Sequence, residues 1–404
     1  MTAAESSSPS TASRIAVAII GYCAFINLYS PQALLPLLQQ EFAASAADVS
    51  YLITVSVLAV ALTAPFTGTV SDVLGRRRVI LAAMAFVGLP AIFGAMSHSL
   101  TELMIWRFVQ GLALPPIFAV AIAYIGDEFP PRQATAAIGL YTAGSSLGGF
   151  SGRFFTGLIT DIADWRVAFI TLALINITGA IIVFFLLPRE KRFVRSPGLL
   201  VSARQMLAHL RNPRLVATYA VGFCVLFNFV SIFTFINFHL AAPPYLLTPS
   251  LLGAIFLTYL MGSVTTPLVG HLVARFGRRN LMIELVFIWM FGVLLTLATP
   301  LPLIIVGLMI CAAAGLMCQA VSTGYVTVST PTGRSSAVGL YATSFYVGGA
   351  CGGVLGSIAW TIGDYPACVV LAVAVLAIIA AIVAAFWDSS GRAPIPPQHG
   401  SPPA

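Results

Sequence analysis

Long apolar runs recur along the whole chain, and the short stretches between them hold nearly all of its charge. A helix of about 20 such residues spans the hydrocarbon core of a bilayer. Inside that core an unpaired backbone N–H or C=O costs several kcal/mol, so a chain of this pattern folds as membrane-spanning helices. Composition points the same way: 8% of the 404 residues are charged and 59% are apolar, whereas a soluble domain carries roughly 25% charged residues. Twelve runs meet the length criterion, and helices one to twelve are expected at 15–39, 50–70, 79–98, 102–126, 134–159, 165–187, 215–240, 249–270, 280–299, 302–325, 335–359 and 365–387.

Lys and Arg set the orientation. With the amino terminus inside, seventeen of the twenty fall on the cytoplasmic side, Arg107 and Arg153 lie within helices, and Arg166 lies outside. The net charge of +7 therefore belongs to membrane-flanking loops, and no nucleic-acid partner is expected. Residues 1–14 and 388–404 read as disordered cytoplasmic tails, 15–187 and 215–387 as six-helix bundles, and 188–214 as a cytoplasmic linker. In the linker Leu199, Leu200, Ala203, Met206, Leu207 and Leu210 repeat at helical spacing, as in a plain connector or a helix lying on the membrane surface. The six cysteines lie within apolar runs, with no C-x-x-C pair or histidine cluster, so neither a metal nor a cofactor is expected. No catalytic constellation is present, which argues against an enzyme.

The chain is internally duplicated. GTVSDVLGRRR at Gly68–Arg78 returns as GHLVARFGRR at Gly270–Arg279, with a shared G-x(6)-G-R-R spacing and an offset of 202. GYCAFINLYS from Gly21 matches GFCVLFNFVS from Gly222 at 201, and GLYTAGSSLGGFSGR from Gly139 matches GLYATSFYVGGACGG from Gly339 at 200. Two parallel copies of six helices describe transporters whose site lies between the halves near the midplane. In the charged loop, Gly68 and Gly75 permit a tight turn and close approach, Asp72 accepts hydrogen bonds, and Arg76 and Arg77 are permanent donors. Pairing with Asp127 or Glu128 at the end of helix four, or with the other half, would latch the cytoplasmic side. The plain alternative is that the arginines only anchor topology. The second copy keeps Gly270, Gly277 and Arg278 but has Ala274 in place of the Asp.

Several polar residues fall within the apolar runs. Arg107 is expected about 8 Å into the bilayer, and an Arg at the centre of a spanning helix costs about 2.5–3.5 kcal/mol; it either faces the cavity or snorkels outward. Arg153, near the outer end of helix five, is expected to snorkel or to pair with Asp161 or Asp164. Asn27 and Asn228 occupy equivalent places about 18–20 Å in, where each bonds either a neighbouring helix or a substrate. Tyr29, Gln32, Asn237, Gln319, Ser322 and Tyr346 are further candidates to line the cavity. Gly144, Gly148 and Gly149 in helix five and Gly348 and Gly349 in helix eleven form small-residue faces for close packing, static or sliding. No Asp or Glu falls near the middle of any helix. Such a cavity favours neutral, amphipathic or anionic molecules over cations.

GTVSDVLGRR resembles the signature loop of the major facilitator superfamily, G-x-x-x-D-x-x-G-R-R, with Gly68, Asp72, Gly75, Arg76 and Arg77 in register. Arg107, Gln110 and Gly111 resemble that family's R-x-x-Q-G motif, DEFPPRQ at Asp127–Gln133 its loop between helices four and five, and GSSLGGFSGR at Gly144–Arg153 the fifth helix of bacterial YnfM-type efflux permeases. Antiporters of the family commonly carry G-P-x-x-G-G there, and Ser145 replaces the Pro. The resemblance implies an all-α membrane protein of two pseudo-symmetric six-helix halves, monomeric, in the bacterial inner membrane with both termini cytoplasmic. It further implies alternating access, a conformational role for the charged loop, and a part for Arg107 and Gln110 in coupling or substrate contact. The expected function is proton-coupled efflux of small amphipathic, neutral or anionic molecules. A proton-coupled importer or facilitator of a sugar or organic acid is the alternative, and a membrane scaffold or sensor the remote one.

Overall fold

The computed structural model describes residues 11–190, 207–330 and 334–387, and among them every regular element is a helix. Both tails, apart from residues 11–14, lie outside the described residues, as does most of the linker stripe, Leu199 to Met206; Leu207 and Leu210 are exposed. Helical segments occupy all twelve expected positions, the last two joined as Arg334–Phe386 through a non-helical joint at Gly363 and Asp364. Nine stretches among the described residues are long and apolar enough to cross a membrane, the joined pair counting as one. Helix five, Pro131–Ile162, and helix nine, Arg278–Leu295, are the more polar segments.

Proline decides where helices break. Helix one runs as Thr11–Ile26, a 3-10 turn at Ser30–Leu34, and Leu35–Glu41. Pro31 has no N–H to offer the carbonyl of Asn27 four residues back, so the ladder fails there. Helix four likewise divides into Leu100–Leu112 and Pro115–Glu128 ahead of its Pro pair. Near Pro267 in helix eight, the Thr266 hydroxyl donates to the Gly262 carbonyl at 2.6 Å. Helix two, Ala46–Leu74, opens on a Ser45–Asp48 capping box. It ends at Gly75, whose φ of 93° has its counterpart in Gly277 at 77°, so the duplicated loops share a left-handed turn that glycine tolerates best. Gly68, expected to permit close approach, faces open space instead, as does its counterpart Gly270.

Glycine sets the distance between helices within each half. A Cβ on Gly144, Gly148 or Gly152 of helix five would overlap the carbonyl of Ala18, Tyr22 or Ile26 in helix one. In the second half, Gly348 and Gly352 of helix eleven meet the backbone of Phe223 and Phe227 in helix seven, Pro213–Ala241. The pairs repeat at offsets of 200 and 201. Gly349 packs on Leu226 and Val57, but Gly149, expected to pack, opens onto the cavity described below.

Between the halves, close contacts lie at the end remote from the charged loops. Gly353 meets Thr54 of helix two, Gly349 meets Val57, Gly157 meets the backbone of Pro249, and Gly253 meets the backbone of Arg153. The Asp161 carboxylate accepts from the Ser250 N–H at 3.0 Å. At the charged end, Gly126, Gly139 and Gly324 have no neighbour within 4 Å of a Cβ position.

Two alanine substitutions in the same helix separate these roles. Gly152→Ala should destabilise by about 1–3 kcal/mol through overpacking, while Gly139→Ala should be neutral or stabilise by up to about 1 kcal/mol through helix propensity. Thermal unfolding of the detergent-purified protein reads both.

Candidate functional site: a central cavity between the halves

Helices one, four and five of the first half and seven, eight, ten and eleven of the second enclose a cavity of about 350 Å³. Of the residues expected to line it, Tyr29, Gln32, Gln319 and Tyr346 do. Its aromatic walls include Phe25, Phe118, Tyr141, Phe229 and Tyr259. Phe118 and Tyr346 touch across the gap between the halves, their ring centres 5.6 Å apart. No Asp, Glu, Lys or His lines the cavity, and Arg153 is the single formally charged side chain among its described lining residues.

Arg153 corrects an expectation. It neither snorkels nor pairs with an acid: it is 4% exposed, and its Nε donates to Gln32 Oε1 at 2.8 Å while Nη1 donates to the Gly149 carbonyl at 2.5 Å. The guanidinium carbon lies over the rings of Tyr29, Phe256 and Tyr259 at 4.7, 4.4 and 5.1 Å. Asp161 is engaged with Ser250, and Asp164 caps helix six through the Trp165 N–H. Helix periodicity explains the placement. Tyr141, Ser145, Gly149 and Arg153 follow each other at four-residue spacing and form one stripe facing the cavity.

Arg107 faces the interior of the first bundle instead of the central cavity. It is also 4% exposed, and it donates to the carbonyls of Asn27 at 2.9 Å and Leu28 at 2.5 Å and to Gln110 Oε1. Those carbonyls are the ones freed by the break before Pro31, so the guanidinium replaces the missing helical donors. Gln110 completes the knot by donating to Asn27 Oδ1 and to the Val87 carbonyl, both at 3.3 Å.

The other polar candidates turn away from the cavity as well. Asn228 and Asn237 donate back along helix seven to the carbonyls of Cys224 and Phe233 at 2.9 and 2.6 Å. Ser322 bonds the Tyr341 hydroxyl at 2.7 Å within the second half. The cavity face of helix seven is instead formed by Leu226, Phe229 and Val230.

At the charged end Arg76 pairs with Asp127 at 2.8 Å and reaches Asp72 at 3.5 Å. The partner that the sequence did not single out is Glu190. Its carboxylate accepts from the backbone N–H groups of Arg76 and Arg77, each at 2.9 Å, at the amino end of helix three, Arg76–Ala95. Arg77 also donates to the carbonyls of Leu187 and Phe184 at 2.8 and 2.6 Å. These partners belong to the first half and the start of the linker behind it, so in this conformation the loop ties helices two, three and four to the end of helix six. Arg279 repeats one of these bonds in the second half, donating to the Ala384 carbonyl at 3.0 Å. The feature that could have revealed Glu190 is an acid placed just after helix six, within reach of unpaired N–H groups at a helix start.

Burial raises the Asp72 pKa from its ordinary value; Arg76 opposes this and Asp127 adds to it. The folded protein therefore holds this proton more tightly than the unfolded chain. The resulting stability is complete below the ordinary carboxylate pKa and is lost as pH rises through the raised folded value. Asp72→Asn should remove that slope and melt no lower than the parent near neutral pH, as followed by thermal unfolding across the acidic range. Arg107→Ala should cost about 2–5 kcal/mol by orphaning the buried Leu28 carbonyl and Gln110 Oε1, while the Asn27 carbonyl keeps the Ser30 hydroxyl. Ligand binding by the fraction that still folds should be unchanged, which titration of that fraction checks.

The model of the Major Facilitator Superfamily matches residues 17–264 and 229–404. The chain is 29% identical over 344 residues to the inner membrane transport protein YnfM of Escherichia coli strain K12, covering 84% of this chain and 82% of that one. It is 27% identical over 342 residues to the MFS-type transporter YybF of Bacillus subtilis strain 168, covering 84% and 85%. Among solved structures, a mutant of the nucleoside transporter NupG superposes with a TM-score of 0.79 at 12% identity, over 93% of this chain and all of that one. A bacterial homologue of the lysosomal transporter Spinster, in an inward-facing and occupied conformation, gives 0.74 at 16% identity, over 92% and 96%.

Proposed function

The chain belongs to the major facilitator superfamily, and on that premise we propose that it is a proton-coupled exporter of small amphipathic molecules, neutral or anionic, working by alternating access. Membership makes it a multi-pass membrane transporter of small molecules and not an enzyme. The observation that carries the finer reading is the cavity, which lies between the halves and has one buried cation and no acid among its described lining residues. The halves meet at the end away from the charged loops. With the charged loops on the cytoplasmic side of a bacterial inner membrane, as the positive-inside rule favours, this is the state that would load from the cytoplasm.

Reorientation then requires the contacts at Gly157, Gly253 and Gly353 to part and the charged ends to approach. The network of Arg76, Asp127 and Glu190 keeps the ends of four helices of the first half in one body while this happens. When the charged ends meet, Asp72, only loosely paired with Arg76, stands ready to accept from the second half. Ser145 in place of a helix-breaking Pro keeps helix five continuous past the cavity. Asp161, at the closed end, accepts from the Ser250 N–H across the halves, and it is one of the outer-end acids from which a proton carrier would be drawn. The reading of second rank is proton-coupled import or facilitation of an organic acid, favoured by the same cation.

Flux in reconstituted vesicles decides between them. A panel of amphipathic toxic compounds and exported metabolites should accumulate against their gradient when a pH gradient is imposed, and should only equilibrate when it is collapsed. Accumulation indifferent to the pH gradient would sink proton coupling. Absence of flux for the whole panel would sink export.

A further inference from the structure

We propose that Arg153 is the head-group site for an organic anion, a carboxylate carried on a flat apolar body, bound in the cavity between the halves. This rests on the transport reading above and narrows its substrate class.

The guanidinium has five N–H groups. Nε and Nη1 donate to Gln32 and Gly149, while Nη2 donates to nothing among the described residues. It is not sealed away either: Nη2 is absent from the buried, unpartnered atoms of the protein, and the side chain borders the cavity. Three aromatic faces cover the cation. Their quadrupoles stabilise it, but a ring is not a counter-ion. No acid among the described lining residues stands by to neutralise it, and a charge at this depth gains most from a partner of opposite sign. The free edge of a guanidinium matches a carboxylate in geometry and charge.

Gln32 has a different part. Its Oε1 is held by Arg153 and its Nε2 donates to Thr234 Oγ1 across the halves at 3.0 Å. Both ends of the amide are occupied, so Gln32 is a positioning residue that fixes the plane of the fork. The remaining volume is bounded by Phe118, Phe229 and Tyr346, which suits an aromatic or otherwise flat body and offers a cationic group nothing to pair with.

The duplication supplies an independent argument. The position equivalent to Arg153 in the second half, at the offset of 200, is Gly353, which packs against Thr54. The fold closes at that position without a charge, so packing does not require the arginine. The site also spans the halves, since Tyr29 comes from the first and Phe256 and Tyr259 from the second. An anion held there interacts differently with the closed and parted arrangements, as a ligand must if it is to shift their balance.

The test is isothermal titration of the purified full-length protein near neutral pH with three matched probes: 2-naphthoate, the neutral 2-naphthamide, and the cationic 2-naphthylmethylamine. The acid should bind at least about tenfold more tightly than the amide, and the amine should not bind. Arg153→Gln should bring acid and amide within about twofold of each other. Arg153→Lys should keep the preference for the acid at reduced affinity, and it carries the test should the glutamine variant fail to fold. Equal binding of acid and amide by the parent protein overturns the proposal. So does a preference for the acid that survives in Arg153→Gln, or no binding of 2-naphthoate at millimolar concentration. Export itself is judged separately by the flux panel, so either reading can fail while the other stands.

Discussion

The contact on which the rest depends is backbone against backbone: helix five on helix one, and helix eleven on helix seven. Carbonyls of Ala18, Tyr22 and Ile26 occupy the space where side chains on Gly144, Gly148 and Gly152 would sit. Lipid chains are as apolar as leucine, so helices in a bilayer associate through close packing more than through hydrophobic drive. Once the glycine face is seated on helix one, the neighbouring stripe of Tyr141, Ser145, Gly149 and Arg153 has one direction left to face, and that direction is the cavity. Packing and chemistry on helix five thus follow from a single rotation of the helix about its axis.

The same rule of satisfied backbone explains the buried polar knot in the first half. Pro31 frees carbonyls at a depth where water is scarce, and Arg107 meets them while Gln110 holds Arg107 and the Asn27 side chain. A motif easily read as coupling machinery therefore has a sufficient structural reason in this chain. It lets helix one bend without leaving acceptors bare, and the bend brings Tyr29 and Gln32 to the cavity.

Much of the fold was legible in the sequence. Twelve apolar runs and three matches at nearly constant offset account for the helices and the two halves, because length and repetition are linear properties of a chain. The site was legible only in part. Tyr29, Gln32, Gln319 and Tyr346 face the cavity, whereas Asn27, Asn228, Asn237 and Ser322 face helices or bundle interiors. Depth along a helix can be counted from its start, but azimuth depends on which neighbours it meets. Arg153 was placed by depth alone, near the outer surface, although its four-residue stripe with Tyr141 already pointed inward. Glu190 escaped notice because its partners are backbone N–H groups, which leave no mark on composition.

Helices eleven and twelve are joined by Gly363 and Asp364 alone, with no loop between them. A joint of two residues has no slack. If helix eleven tilts away from helix two, the dihedrals of these two residues alone can take up the change before helix twelve follows. In the proposed transport cycle the second bundle thus has a short joint at the end where its contacts with the first would part, so that helix twelve is tied closely to the helix lining the cavity.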